Sequence, residues 1–238
     1  MCEKEAAAQH KKGTEEQLVG DLYYSAMDSV TINKLGFDAI KEEYNKLDEI
    51  KSIEDITHTI AQYQKWGLST PFYFFVNPDP KNSKIYAAQM WQGGTSLPSR
   101  SYYLDENPRF EKIEKPIWST SATCLSWQDW MRKKPKANAS TVFEMEKRFA
   151  SAQRTPVQNR NPEKNYNKMT LEDLSKMTFN IDWKDYLETR GATQADYIIV
   201  NQPEFIAMFD RMLGDFSPEE WTTWFKWKND FQHLRLHE

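Results

Sequence analysis

No apolar run in this 238-residue sequence approaches the roughly 18 residues that a membrane-spanning helix needs. Cysteine is nearly absent: Cys2 and Cys124 make neither a disulfide framework nor a CxxC pair. Charge of one sign is lacking too. The 31 Lys and Arg residues against 35 Asp and Glu give a net charge of −4 with no polybasic block, which excludes the electrostatic footprint of a nucleic-acid binder. The first residues, "MCEKEAAAQHKKGTEEQ", do not read as a signal peptide, because the charged start leads into no apolar run. Histidine is scarce, with His10, His58, His233 and His237. A zinc peptidase needs HExxH, two histidines one helical turn apart with a glutamate base between them. His233 and His237 have the spacing, but Leu234 holds the place of the glutamate, and the terminal His237-Glu238 pair is only two residues long. No GxSxG occurs, Cys124 has no basic neighbours to make it a thiolate, and Gly93-Gly94 lacks the helix and lysine of a phosphate loop. The residues alone assign no catalytic or metal-ligating group and no substrate-binding residue.

What the chain does contain is helix punctuation. With 39% hydrophobic and 28% charged residues, a core is affordable only if each helix buries a single stripe. Thr14 followed by Gln17, Ser52 by Asp55, Thr170 by Asp173, and Ser217 by Glu220 are capping-box pairs at helix starts. Gly67 and Gly191 stand where a C-terminal glycine belongs. Leu18, Leu22 and Ala26 recur at helical spacing, as do Phe37, Ile40, Tyr44 and Leu47, and Val142, Met145, Phe149 and Ala152. Each stripe predicts helix-on-helix packing, and the charged pairs Glu42-Glu43 and Glu219-Glu220 predict solvated helix faces. Between residues 72 and 91 the pattern turns to aromatic and β-favouring runs around "NPDPKNS", which predicts a β-hairpin whose tip Pro78 and Pro80 keep out of the ladder. "ADYIIV" predicts one further short strand. The fold class is mainly α with one small β-hairpin. "RTPVQNRNPEKNYN" is polar and proline-containing and marks the candidate domain boundary.

The hairpin leaves through "QGGTSLPSRSYYL", and here the residues carry a resemblance. "FYFFVNPDPKNSKIYAAQMWQGGTSLPSRSYYL", "RNPEKNYNKMTLEDL", "IDWKDYL", "IIVNQPEF" and "EEWTTWFKWK" resemble, in that order, the neprilysin and endothelin-converting-enzyme family of zinc metallopeptidases, especially its bacterial oligopeptidase members. The likeness runs from about Gly20 to Trp227. It implies an incomplete part of a two-domain helical metallopeptidase, amino-terminal to the zinc site. Residues 1–155 would form an outer part of the catalytic domain, and residues 156–238 would open a helical lid. The implied zinc and oligopeptide substrate belong to the full-length enzyme, with neither a cofactor nor a nucleic-acid partner in this chain; a periplasmic or exported location is implied by the family alone. The resemblance also implies that Gly93, Gly94, Pro98, Arg100 and Tyr102 are structural. Gly93 and Gly94 permit tight turns, Pro98 fixes one φ, and Arg100 is placed to pair with a carboxylate. Ser101 stands where the family has aspartate. The alternative reading, prompted by nine tryptophans, is a stand-alone helical module that binds peptide or glycan. Burial of Trp66, Trp183, Trp221 and Trp227, expected from their helical contexts, favours the first.

The likeness vanishes over residues 116–135, "PIWSTSATCLSWQDWMRKKP", which show no helical stripe between flanks that match. Codons compatible with these residues, read from each third base, give "YLEHISNMFKLAGLDEKKA", an amphipathic peptide that joins "KANASTVFEMEKRFA" in register. The first base of each codon becomes the middle base of the shifted one, and a middle T encodes apolar residues. With a T-first codon at Leu125, Trp118, Cys124, Leu125, Trp127 and Trp130 would read Leu, Met, Phe, Leu and Leu, a spacing that suits a buried helical face. Translation out of frame is therefore expected here, and "NDFQHLRLHE" is a second, weaker case. Sequencing the gene tests it: the shifted frame over codons 116–135 is expected to be open and to encode the amphipathic helix. Stop codons in that frame would end the idea.

Overall fold

The computed structural model describes residues 2–8, 10–35, 41–106 and 135–234. Phe37, Ile40, Cys124, the tryptophans at 118, 127 and 130, His237 and nearly all of the stretch expected to be out of frame lie outside the described residues. Two compact units divide the chain at Asn45 and Lys46.

The first unit holds α1 (Cys2–Ala7), α2 (Glu15–Met27) and α3 (Ser29–Leu35), with α4 (Lys41–Lys46) leading on. Thr14 caps α2 as expected, its hydroxyl accepting from Gln17 N at 3.3 Å while Gly13 N donates to the Gln17 carboxamide at 2.9 Å. The expected packing stripe is corrected, however. Leu18 and Leu22 are 60% and 73% exposed, and the buried residue of α2 is Gly20. A Cβ there would lie 2.6 Å from the Glu5 carbonyl oxygen. The helices meet backbone to backbone through the one residue that permits it, which turns the leucines away.

The second unit is built around a small sheet of order β1-β2-β4-β3. β1 (Phe72–Asp79) and β2 (Asn82–Gln92) form the expected hairpin. Pro78 does enter the ladder, opposite Tyr86, on an edge strand just before a register shift, which is where a sheet tolerates a residue without an N–H. The sequence reading missed the sheet's extension: β4 (Ile198–Val200) runs parallel to β2, and the two-residue β3 (Lys168–Met169) pairs antiparallel with β4. Strands from both sides of residue 155 thus share one sheet.

Helices α5 (Ile53–Trp66), α6 (Ser101–Leu104), α7 (Pro135–Ala152), α8 (Leu171–Met177), α9 (Trp183–Arg190), α10 (Pro203–Asp215) and α11 (Pro218–Leu234) complete this unit. The capping boxes of α5 and α8 form as the spacing predicts, and Gly67 and Gly191 end their helices at φ +73° and +77°. Val142, Met145 and Phe149 of α7 are buried, together with Trp183, Trp221, Trp224, Trp227, Phe72, Phe205, Phe209 and Phe225. Burying each of these large side chains contributes on the order of 1.5–3 kcal/mol, so the core is aromatic where a richer composition would use leucine. Trp66 departs from expectation. It ends α5 beside Gly67, past the buried stripe, and is 53% exposed.

At the hairpin tip, the buried Asp79 carboxylate accepts from Tyr197 Oη at 2.7 Å, Tyr166 Oη at 3.1 Å and Lys81 N at 2.8 Å. Burial alone would raise its pKa, but these bonds outweigh burial and hold it below the ordinary carboxylate value. The hydrogen bond to Asp79 and its charge push the Tyr197 phenol up to about 12. The cluster therefore supports the fold fully at neutral pH. Its contribution is lost as pH falls through the depressed carboxylate value, and again as pH rises from the ordinary phenol value of about 10 through about 12. Asp79→Asn is expected to return the Tyr197 phenol towards that ordinary value, read as tyrosinate absorbance against a Tyr197→Phe control. An unshifted titration would show that the bond is not made.

Candidate functional site

The segment after the hairpin is pinned from below. Gly93 and Gly94 are buried, and Gly94 has φ +89°. A Cβ on Gly94 would lie 2.8 Å from the Phe149 ring, and one on Gly93 would lie 3.1 Å from the Pro71 carbonyl oxygen. Gly94 is demanded both by close approach and by its backbone conformation, and a side chain at Gly93 would make a tight contact. Pro98 lies exposed on the outside of the turn. Among the described residues Arg100 meets no carboxylate. Its guanidinium donates to the Ala150 carbonyl at 3.0 Å and reaches the Ser151 carbonyl at 3.5 Å. These carbonyls belong to the last turn of α7, where a cation complements the negative end of the helix dipole. Tyr102 packs half-buried against the small cluster of Leu97, Tyr103 and Ala150.

Beneath this turn lies a polar cluster that the sequence reading missed. Glu146 of α7 is fully buried, and one carboxylate oxygen accepts from Ser96 Oγ at 2.6 Å and Lys228 Nζ at 3.1 Å. The other accepts from Ser96 N at 2.8 Å and from the Tyr103 hydroxyl. The Tyr103 oxygen in turn accepts from Leu97 N at 2.9 Å. Trp227 Nε1 and Lys228 Nζ donate to Ser96 Oγ at 3.1 and 3.0 Å. Burial, with the Glu146 charge beside it, pushes the Tyr103 phenol far above its ordinary value, so the tyrosine stays a neutral donor.

A signal for this cluster was present in the sequence. Glu146 falls on the stripe of Val142, Met145 and Phe149, and Lys228 on that of Trp221, Trp224 and Phe225. A charge on each of two apolar faces points to a buried pair.

The arrangement holds structure together and offers no reacting group. Ser96 Oγ and Lys228 Nζ are close enough to suggest a nucleophile and its base. The lysine, however, is paired with a carboxylate, and the serine hydroxyl is committed to Glu146, Trp227 and Lys228. A recess of 520 Å³ lies elsewhere, lined by Leu171, Glu172, Ser175, Phe179, Asn180, Ile181, Asp182, Trp183 and Lys184. Two of its charged groups are engaged, Glu172 with Lys176 and Asp182 with the first amides of α9. His58 faces Asp185 at 3.6 Å on the surface. Among the described residues no three His, Cys, Asp or Glu side chains stand together as metal ligands. Among those residues too, no helix is long and apolar enough to cross a membrane.

Comparison with known proteins places this geometry. The amino-terminal model of peptidase family M13 matches residues 1–232. The chain belongs to that family, the neprilysin-type peptidases, and corresponds to its amino-terminal part. It is 25% identical to the neutral endopeptidase of Lactococcus lactis subsp. lactis (strain IL1403) over 84% of its length and 31% of that protein. It is 26% identical to neprilysin-3 of Drosophila melanogaster over 63% of its length and 20% of the relative. The chain thus spans a third or less of the length of these relatives. Among solved structures, the Mycobacterium tuberculosis zinc metalloprotease Zmp1 in complex with inhibitor superposes with a TM-score of 0.87 at 23% identity, covering 95% of this chain and 35% of that one. PepO from Lactobacillus rhamnosis HN001 gives 0.72 at 14% identity, covering 98% and 36%.

The buried pair makes a sharp prediction. Glu146→Gln removes the carboxylate charge from beside the buried Lys228 and is expected to cost about 3–5 kcal/mol. The double variant Glu146→Leu/Lys228→Met is expected to cost clearly less than the sum of its single changes. Urea midpoints measure both, and additive losses would show that the two charges do not interact.

Proposed function

We propose that this chain is the amino-terminal scaffold of a zinc metalloendopeptidase acting on oligopeptides, supplying walls and lid elements of the substrate chamber and no catalytic group. The observation that carries this reading is the superposition of nearly the whole chain on about a third of Zmp1, a protein named as a zinc metalloprotease. The internal chemistry supports it: the charged groups of the buried cluster are spent on each other rather than aimed at a cavity. In this reading residues up to about 155 contribute to the outer layer of the catalytic domain, and those from about 156 open the lid. The division is one of role, since both stretches contribute strands to one sheet. Zinc and the peptide substrate would be met by the remainder of such an enzyme. A helical binding module is the weaker reading, because Trp183, Trp221, Trp224 and Trp227 are buried and offer no face on which a sugar ring could stack.

Two measurements test the proposal. The purified chain is expected to hold no stoichiometric zinc by elemental analysis and to cleave no peptide in a chelator-sensitive way. The DNA beyond codon 238 is expected to encode an HExxH segment in one of its frames. Tight zinc with peptidase activity in this chain alone would overturn the scaffold role; downstream DNA without that segment would overturn the enzyme.

A further inference from the structure

Residues 155–167 join the two halves of the second unit by an unusual means. They enter no strand, and their one aliphatic side chain apart from two prolines, Val157, is 73% exposed. Their hold on the core is polar: Tyr166 donates to Asp79 and Asn167 pairs with Val200, while residues 155–165 converge on Arg154. Its guanidinium forms a two-point ion pair with Glu204 in the first turn of α10, one arm at 2.8 Å. The remaining nitrogen donates to the Lys164 carbonyl at 2.9 Å, Asn165 Oδ1 at 3.0 Å and the Asn201 carbonyl at 3.0 Å. The main chain of Arg154 is bracketed by the Gln92 carboxamide, at 2.8 Å from its N–H and 3.0 Å from its carbonyl. Asn165 ties back to the Asn159 carbonyl at 2.6 Å, and Asn159 Oδ1 accepts from Gln202 Nε2 at 3.0 Å.

We propose that Arg154 is the latch of a strap, residues 155–165, that opens over the carboxyl ends of β2 and β4 as a unit while the core stays folded. Local opening is cheapest where little apolar surface is buried, and here almost none is. The flanking elements differ: Met90 and Val200 at the strand ends and Phe205 in α10 are fully buried. Glu204 is half-exposed, so the ion pair alone holds weakly. It is the several acceptors gathered by one planar guanidinium that make the strap cooperative. Opening would uncover Gln202 and Asn201, now 1% and 6% exposed. Their amides stand where two parallel strands end and α10 begins. Nothing in the peptidase reading requires this motion.

Hydrogen exchange on the full chain tests it, with Arg154→Lys and Glu204→Gln beside the wild type. Lysine keeps the charge but cannot reach all the acceptors together. The amides of Asn159, Asn161 and Asn165, bonded within the strap to Thr155, Gln158 and Asn161, are expected to exchange about tenfold faster in Arg154→Lys. A smaller rise confined to the strap is expected in Glu204→Gln. In both variants amides in α5 and α10 should keep wild-type rates. Unchanged strap rates, or rates that rise in step with α5 and α10, would overturn the latch. If Arg154→Lys does not fold, Glu204→Gln decides by the same two outcomes.

Discussion

A carboxylate that has lost all contact with water is the constraint around which the second unit is arranged. Burying a carboxylate such as Glu146 is costly unless its oxygens find donors. Its donors come from three places: the turn at Ser96, the short helix carrying Tyr103, and the far end of the chain at Lys228. Any register of α7 against α11 that broke this set would strand a charge in an aromatic core. Hydrophobic burial favours packing these helices in many ways, whereas the carboxylate selects one. Specificity is the part of the fold that this pair supplies.

The same logic, in a weaker form, explains how so polar a chain closes its sheet. β4 has only three residues and β3 two, too few for ladder bonds to hold them alone. Side-chain amides extend the ladder. Asn201 reaches the Met90 carbonyl through both its main-chain and side-chain N–H groups, Gln202 accepts from Gln92 N, and Asn167 reaches the Val200 carbonyl. Asparagine and glutamine carry a donor and an acceptor in one group, so they mimic a peptide unit where the backbone has turned away. The sheet therefore ends in carboxamides rather than in water.

Much of the local structure was legible because it depends on neighbours in sequence. Ser52 with Asp55 and Thr170 with Asp173 identify their helix starts through bonds that span three residues. Gly67 and Gly191 mark helix ends because only a left-handed turn is wanted there. The hairpin was legible for the same reason, its two strands lying one turn apart. What was not legible depends on distance. The pairing of β2 with β4 spans 110 residues between Met90 and Val200, and no local pattern encodes it. Arg100 announced a charge but not its partner, because helix-end carbonyls have no signature in composition. The polar stretch after residue 153 looked like a linker since its side chains are those of linkers; only the fold shows them turned onto Arg154. Leu18 and Leu22 misled because periodicity records that a stripe exists, whereas Gly20 decides which face makes the closest approach.

These two kinds of information also account for how a chain about a quarter identical to its relatives keeps their fold. Aromatic packing tolerates exchange among residues of similar volume, so most core positions can drift without changing the architecture. A buried ion pair is less forgiving, because replacing one partner strands the other. In the second unit the chemically exacting contacts include a carboxylate and an ammonium on two helix faces, a glycine against a phenyl ring and an arginine gathering carbonyls. Such sites need not lie near any reaction. The segment "QGGTSLPSR" brings such contacts close together, with Gly94 against the Phe149 ring and Ser96 on the buried Glu146 carboxylate.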